Sequence, residues 1–213
     1  MCDSPATTDE HVPPRCLFPV ESEWRKQLIK VPSCELHNSK KSTDDELLRH
    51  YIASAGGNNE LALQVYEPVI RSWERNPKLM KTFLYGIRPV QFGGIDTAAY
   101  SFDLTRWERA IGCIVRGLYF HEKNERLHHD LDVFWEALRR PNLGPSPFKL
   151  LFIAGAHLPA NWKGANPRVF RYSFHEWQEP DNHLCRLQFY EGPPIYVAWG
   201  HLPDAPGESG SVC

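Results

Sequence analysis

Apolar residues recur at helical spacing in the middle of the chain and alternate or cluster as strands near its end. Residues 105–123 carry the clearest helical stripe, with Trp107, Ile111, Ile114, Val115 and Leu118 on one face. A helix starting near Ser42 is predicted by the capping box Thr43-Asp44-Asp45-Glu46, the stripe Leu47, Leu48, Tyr51 and Ile52, and the stop Gly56-Gly57. Residues 58–85 read as helical, with Leu61, Val65, Val69 and Trp73 on one face and breaks at Pro68 and Pro77. Gly93-Gly94 marks a turn and residues 98–102 a short strand. Residues 148–153, 168–177, 184–190 and 195–199 are aromatic and β-branched runs between Pro, Gly, Asn and Asp, so a C-terminal antiparallel sheet is expected on the middle helices. At the front, Pro13, Pro14 and Pro19 exclude helix. Residues 12–33 are expected as a loose hairpin or Ω-like excursion anchored by Trp24, with 28–31 as its return strand. Pro32-Ser33 then introduces a short helix carrying Cys34, His37 and Asn38.

At 213 residues the chain has room for one domain or two small ones with a real core. Its net charge of −2 provides no global attraction to nucleic acid, so any such contact needs a local patch. The basic residues at the front (Arg15, Arg25, Lys26, Lys30, Lys40, Lys41) are offset by as many acids. The six cysteines are scattered, the start is polar and no run reaches membrane-span length. The expectation is a cytoplasmic protein with reduced thiols and no membrane partner. Phosphate-binding loop, nucleophile elbow and His-Glu-x-x-His helix are all missing from the sequence.

Two polar clusters remain. Glu10-His11 stands one residue before two prolines, and Cys34-Glu35-Leu36-His37-Asn38 follows the return strand. A carboxylate, two imidazoles, a thiol and an amide meet if that strand pairs back on the first segment, and these are metal-ligand and general-base groups. Taken singly, each has a plainer reading. Glu10-His11 suits a loop, Cys34 a small buried hydrophobe, and Asp44, Asp45 and Glu46 complement a helix dipole. The remaining histidines lack ligand spacing, and His128-His129 reads as a solvated turn. Tyr172, Trp177, Phe189 and Tyr196 suit either a stacking platform for single-stranded nucleic acid or a core; without a basic face, the core is the better reading.

The ordered set resembles the HNH-type, or ββα-metal, endonucleases. Their Asp/Glu-His-x-x-Pro motif is matched by Glu10-His11-Val12-Pro13-Pro14, and their Cys-x-x-Cys-His/Asn motif by Cys34-Glu35-Leu36-His37-Asn38. Bacterial members also share phrases matched by Leu17-Phe18-Pro19, residues 28–34, residues 42–46 and Arg116-Gly117-Leu118-Tyr119. The resemblance implies an α+β fold: an N-terminal ββα-metal module (1–57), a helical region (58–147), an antiparallel β region (148–201) and a tail (202–213). It implies hydrolysis of DNA phosphodiesters with His11 as general base and Mg²⁺ or Mn²⁺ held by Glu10 and Asn38. Gln27 would orient His11 from the return strand, where Asn is usual. Cys34 and His37 would belong to a structural Zn²⁺ knuckle, with Cys2 on the early side; Cys16 could also serve, though its place in the family pattern is not a ligand place. The alternative is a catalytically degenerate relative that binds nucleic acid or protein.

Overall fold

The computed structural model describes residues 4–55, 59–83, 85–101, 103–135, 146, 148–178 and 181–201. Along the chain come β1 (Thr8–His11), β2 (Lys30–Ser33), α1 (Glu35–Ala55), α2 (Glu60–Arg75) and α3 (Pro77–Phe83). They are followed by β3 (Tyr85–Phe92), β4 (Ile95–Ser101), α4 (Leu104–Lys123), β5 (Asp132–Trp135) and α5 (Lys149–His157). The chain ends in β6 (Phe170–Trp177), β7 (Asn182–Phe189) and β8 (Ile195–Gly200). The strands form two antiparallel pairs, β1-β2 and β3-β4, and one four-stranded sheet ordered β5-β8-β7-β6. No helix among the described residues is long and apolar enough to cross a membrane.

Helix α4 is the centre of the packing. Its N-cap Asp103 accepts from the Arg106 backbone N–H at 3.0 Å, and Asn124 closes its C-terminus in left-handed backbone. The expected stripe Trp107, Ile111, Ile114, Val115 and Leu118 is fully buried, and Trp107 stacks on Trp135 of β5. One hydrophobic cluster runs from Val12 and Leu17 through α1, α2 and α4 to Val197 and Trp199. At its far end the Tyr190 hydroxyl donates to the Leu17 carbonyl at 2.6 Å.

Two helical expectations are corrected. The short helix and the helix from Ser42 are one continuous α1. Nothing between residues 35 and 55 removes a backbone donor or adds glycine freedom, so the capping-box residues lie in mid-helix. Pro68 does not break α2 but sits within it. The lost hydrogen bond and ring clash cost roughly 3 kcal/mol; burial of Leu61, Ala62, Val65 and Trp73 along the same helix offsets this. Pro77, by contrast, opens α3, where its fixed φ suits a first turn. Gly56-Gly57 lies outside the described residues.

One strand expectation is corrected and another is extended. Residues 148–153 form not a strand but most of α5. A short apolar run carries no period that separates the two states. Here Phe148, Phe152 and Gly155 pack on the sheet through Leu184 and Tyr196, while Leu150 and Ile153 stay exposed. Arg186 of β7 secures the helix end, its guanidinium donating to the carbonyls of Gly155, Leu158 and Pro159. The strand expected at 98–102 is the return arm of a hairpin, β3-β4. That hairpin turns at Gly93-Gly94 with φ of +58° and +80°, as a two-residue turn with two left-handed positions requires. The other C-terminal strands fall where expected, with β5 added at the β8 edge. Tyr172, Phe189 and Tyr196 are buried, so they are core and not a stacking platform.

Candidate functional site

The first strand pair places the candidate residues. β1 and β2 run antiparallel with Glu10 opposite Val31 and His11 opposite Lys30. Between them the chain passes a cis Val12–Pro13 bond and two 3₁₀ turns, then returns; the Val12 N–H donates to the Ile29 carbonyl at 2.9 Å. Only Cys34 separates β2 from α1. On its inner side the pair rests on α4 at Gly117, where a Cβ would lie 2.7 Å from Val12 Cγ2. The glycine of Arg116-Gly117-Leu118-Tyr119 is therefore a close-approach residue.

Between the strand pair and α4 lies a cleft of about 470 Å³. One wall is Glu10, Val12, Val31, Pro32, Ser33 and Cys34; the other is Arg109, Ala110, Cys113, Arg116, Gly117 and Phe120. Asp44, Arg126, Ser4 and Ala6 complete the lining. The strand wall follows from pairing, since opposed Glu10 and Val31 share a face of the ribbon. The helix wall follows from period: Arg109, Cys113, Arg116 and Phe120 are spaced by four, three and four residues.

Of the residues singled out from sequence, Glu10 and Cys34 line this cleft. His11, next along β1, faces the opposite side of the ribbon beside Lys30. Its pKa is held below the ordinary imidazole value, first by burial and then by the positive charges of Lys30 and Arg15, against Asp9 and Glu10. A neutral ring able to accept a proton is the consequence. Gln27 is not on the return strand: β2 starts at Lys30, and Gln27 lies ahead of it, exposed, in left-handed backbone with φ 55°. His37 and Asn38 belong to the start of α1, but their side chains lie outside the described residues. Cys2 is also outside them, and Cys16 donates its thiol to the Asp45 carbonyl.

The metal question divides by ligand type. Mg²⁺ and Mn²⁺ prefer hard oxygens and are commonly held by one or two carboxylates, with water and phosphate filling the other positions. Glu10, half-buried on the cleft wall, fits that need. Asp44, also on the lining, has both of its oxygens engaged by guanidinium groups. A structural zinc needs four ligands. Among the described residues, no group of three or more His, Cys, Asp or Glu could hold a metal.

The residues that sequence reasoning missed are cationic. Asp44 is not a first-turn acid but a buried carboxylate in mid-helix. Its Oδ1 accepts from Arg106 Nε at 2.7 Å and its Oδ2 from Arg109 Nε at 2.8 Å. Arg106 also donates to the Thr43 carbonyl, tying α1 to α4 at one end of the cleft. Arg116 donates from Nη2 to the His129 carbonyl at 3.1 Å. The one available signal was Arg109 and Arg116 seven residues apart on the polar side of the best helix, which any solvated face also shows. Compared with family models, with curated proteins and with solved structures, the chain finds no match.

Proposed function

We propose that this chain is a metal-dependent endonuclease that hydrolyses DNA phosphodiester bonds with His11 as general base. The observation that carries the reading is a β1-β2-α1 order whose first strand ends in Glu10-His11 and opens Glu10 onto an arginine-walled cleft. Glu10 and His11 face opposite sides of a ribbon only two strands wide. A phosphodiester crossing the edge of β1 therefore comes within reach of both. His11, kept neutral by burial and by Lys30 and Arg15, takes the proton of the attacking water. Arg109 and Arg116, across the cleft, hold the phosphate and oppose the charge that grows on it. A bound Mg²⁺ or Mn²⁺ supplies further charge stabilisation at the phosphate and the leaving oxygen. Glu10 is its proposed protein ligand, with Asn38 at the start of α1 as the additional ligand the resemblance suggests.

The test is nicking of supercoiled plasmid in Mg²⁺, in Mn²⁺ and in EDTA, with His11→Ala and Glu10→Gln beside the wild type. Nicking by the wild type alone, abolished by EDTA, is expected. Equal nicking by His11→Ala assigns the activity to another residue or a contaminant. No nicking under any metal leaves the degenerate binding module as the reading.

A further inference from the structure

We infer that the cleft between the β1-β2 ribbon and α4 binds one nucleoside monophosphate unit, phosphate on the arginine wall and base on the apolar one. The inference shares Glu10 with the nuclease reading and deepens it. Its test needs neither metal nor cleavage.

Charge is the first argument. Three guanidinium groups, Arg109, Arg116 and Arg126, line a cleft in a chain whose net charge is −2. Arg109 is paired with the lining carboxylate Asp44, which it shares with Arg106. Arg116 is anchored by the His129 carbonyl, a neutral acceptor that fixes the side chain and leaves its charge in place. A guanidinium fork held this way is suited to the paired oxygens of a phosphate.

Size and surface are the second. Clefts of roughly 300–1,000 Å³ take single small molecules, and this one is about 470 Å³. A duplex does not enter such a space, whereas one nucleotide unit turned out of its stack does. Val12, Val31 and Phe120 give the base an apolar surface, and Ser33 and Glu10 stand beside them for its polar edge. The same unit can arrive as a free nucleotide or as one residue of a single strand, and the two sources are separable by experiment.

The experiment is equilibrium binding by the full chain in EDTA. Calorimetry with thymidine monophosphate, inorganic phosphate and thymidine reads the site. Anisotropy of a labelled twelve-residue oligothymidine, alone and annealed to its complement, reads the source. The monophosphate should bind at least tenfold tighter than either phosphate or thymidine. Arg116→Gln and Arg126→Gln should each weaken it about tenfold with the circular dichroism spectrum unchanged. Phe120→Ala should weaken the monophosphate and leave phosphate unaffected. A single strand that binds tighter than both the monophosphate and the duplex makes a strand the source; a monophosphate that outcompetes the strand makes it free nucleotide. Phosphate and monophosphate binding equally, or no change in either arginine variant, overturns the inference. Plasmid nicking without monophosphate binding removes the nucleotide pocket and keeps the nuclease; binding without nicking does the reverse.

Discussion

Asp44→Ala separates a tertiary ion pair from a helix-dipole role more sharply than any other single change. A first-turn acid acting on the dipole contributes roughly 0.3–1 kcal/mol. Asp44 does something else. Its side chain is 8% exposed and accepts from Arg106 at 2.7 Å and Arg109 at 2.8 Å. Hydrogen bonds to charged groups are worth about 1.5–3 kcal/mol each, and breaking a fully buried pair costs about 3–5 kcal/mol. The upper range is not reached here, because Arg106 and Arg109 are 29% and 58% exposed and can turn to water. We therefore expect a loss of about 2–3 kcal/mol, with Arg106 carrying most of it and half-exposed Arg109 contributing like a surface pair. In equilibrium urea unfolding followed by far-UV circular dichroism, this lowers the midpoint by roughly 1 M at constant slope. A double-mutant cycle with Arg106→Gln should return a coupling of at least about 1 kcal/mol. A loss below about 1 kcal/mol with no coupling refutes the reasoning and leaves Asp44 with no more than a surface pair's contribution.

His50 makes stability depend on pH. It is buried among the rings of Tyr51, Tyr66 and Trp73, and burial lowers its pKa from 6.5 to about 4. Above pH 6.5 both folded and unfolded states hold it neutral. As the pH falls from 6.5 towards 4 the unfolded chain takes the proton first, so stability drops, by up to about 3 kcal/mol, and the loss saturates below the folded pKa. Urea midpoints of the wild type and His50→Phe at pH 7 and pH 4.5 check this, and a variant with the same acid sensitivity as the wild type refutes it. Tyr190→Phe removes the buried hydroxyl that donates to the Leu17 carbonyl and should cost about 1–3 kcal/mol. Thermal unfolding reads this as a drop of roughly 2–4 °C per kcal/mol, and an unchanged melting temperature would show that the bond does not tie the C-terminal sheet to the N-terminal segment.

Much of this molecule was legible from the sequence because its physical causes are local. Helix α4 announced itself through a stripe that recurs every three or four residues, and all five stripe residues are buried. The aromatic runs of the last third became β6, β7 and β8, and Gly93-Gly94 became a turn because few other residues tolerate two left-handed positions. The prolines after His11 predicted an excursion, and Glu10 and Cys34 were brought onto one wall by strand pairing that the return segment foretold. Other features depended on partners remote in the chain. Whether 148–153 became strand or helix was decided by the surface offered by Leu184 and Tyr196. Pro68 stayed inside α2 because that helix buries a face against the core. Thr43-Asp44-Asp45-Glu46 has the form of a cap, yet Asp44 found two guanidiniums from α4, sixty-two and sixty-five residues away, and stronger charge-assisted bonds prevailed over a cap. The arginine wall was invisible for the same reason: a helix face shows its spacing in sequence, but only tertiary packing, through the close contact of Gly117 with Val12, turns that face towards Glu10 and makes a cleft of it.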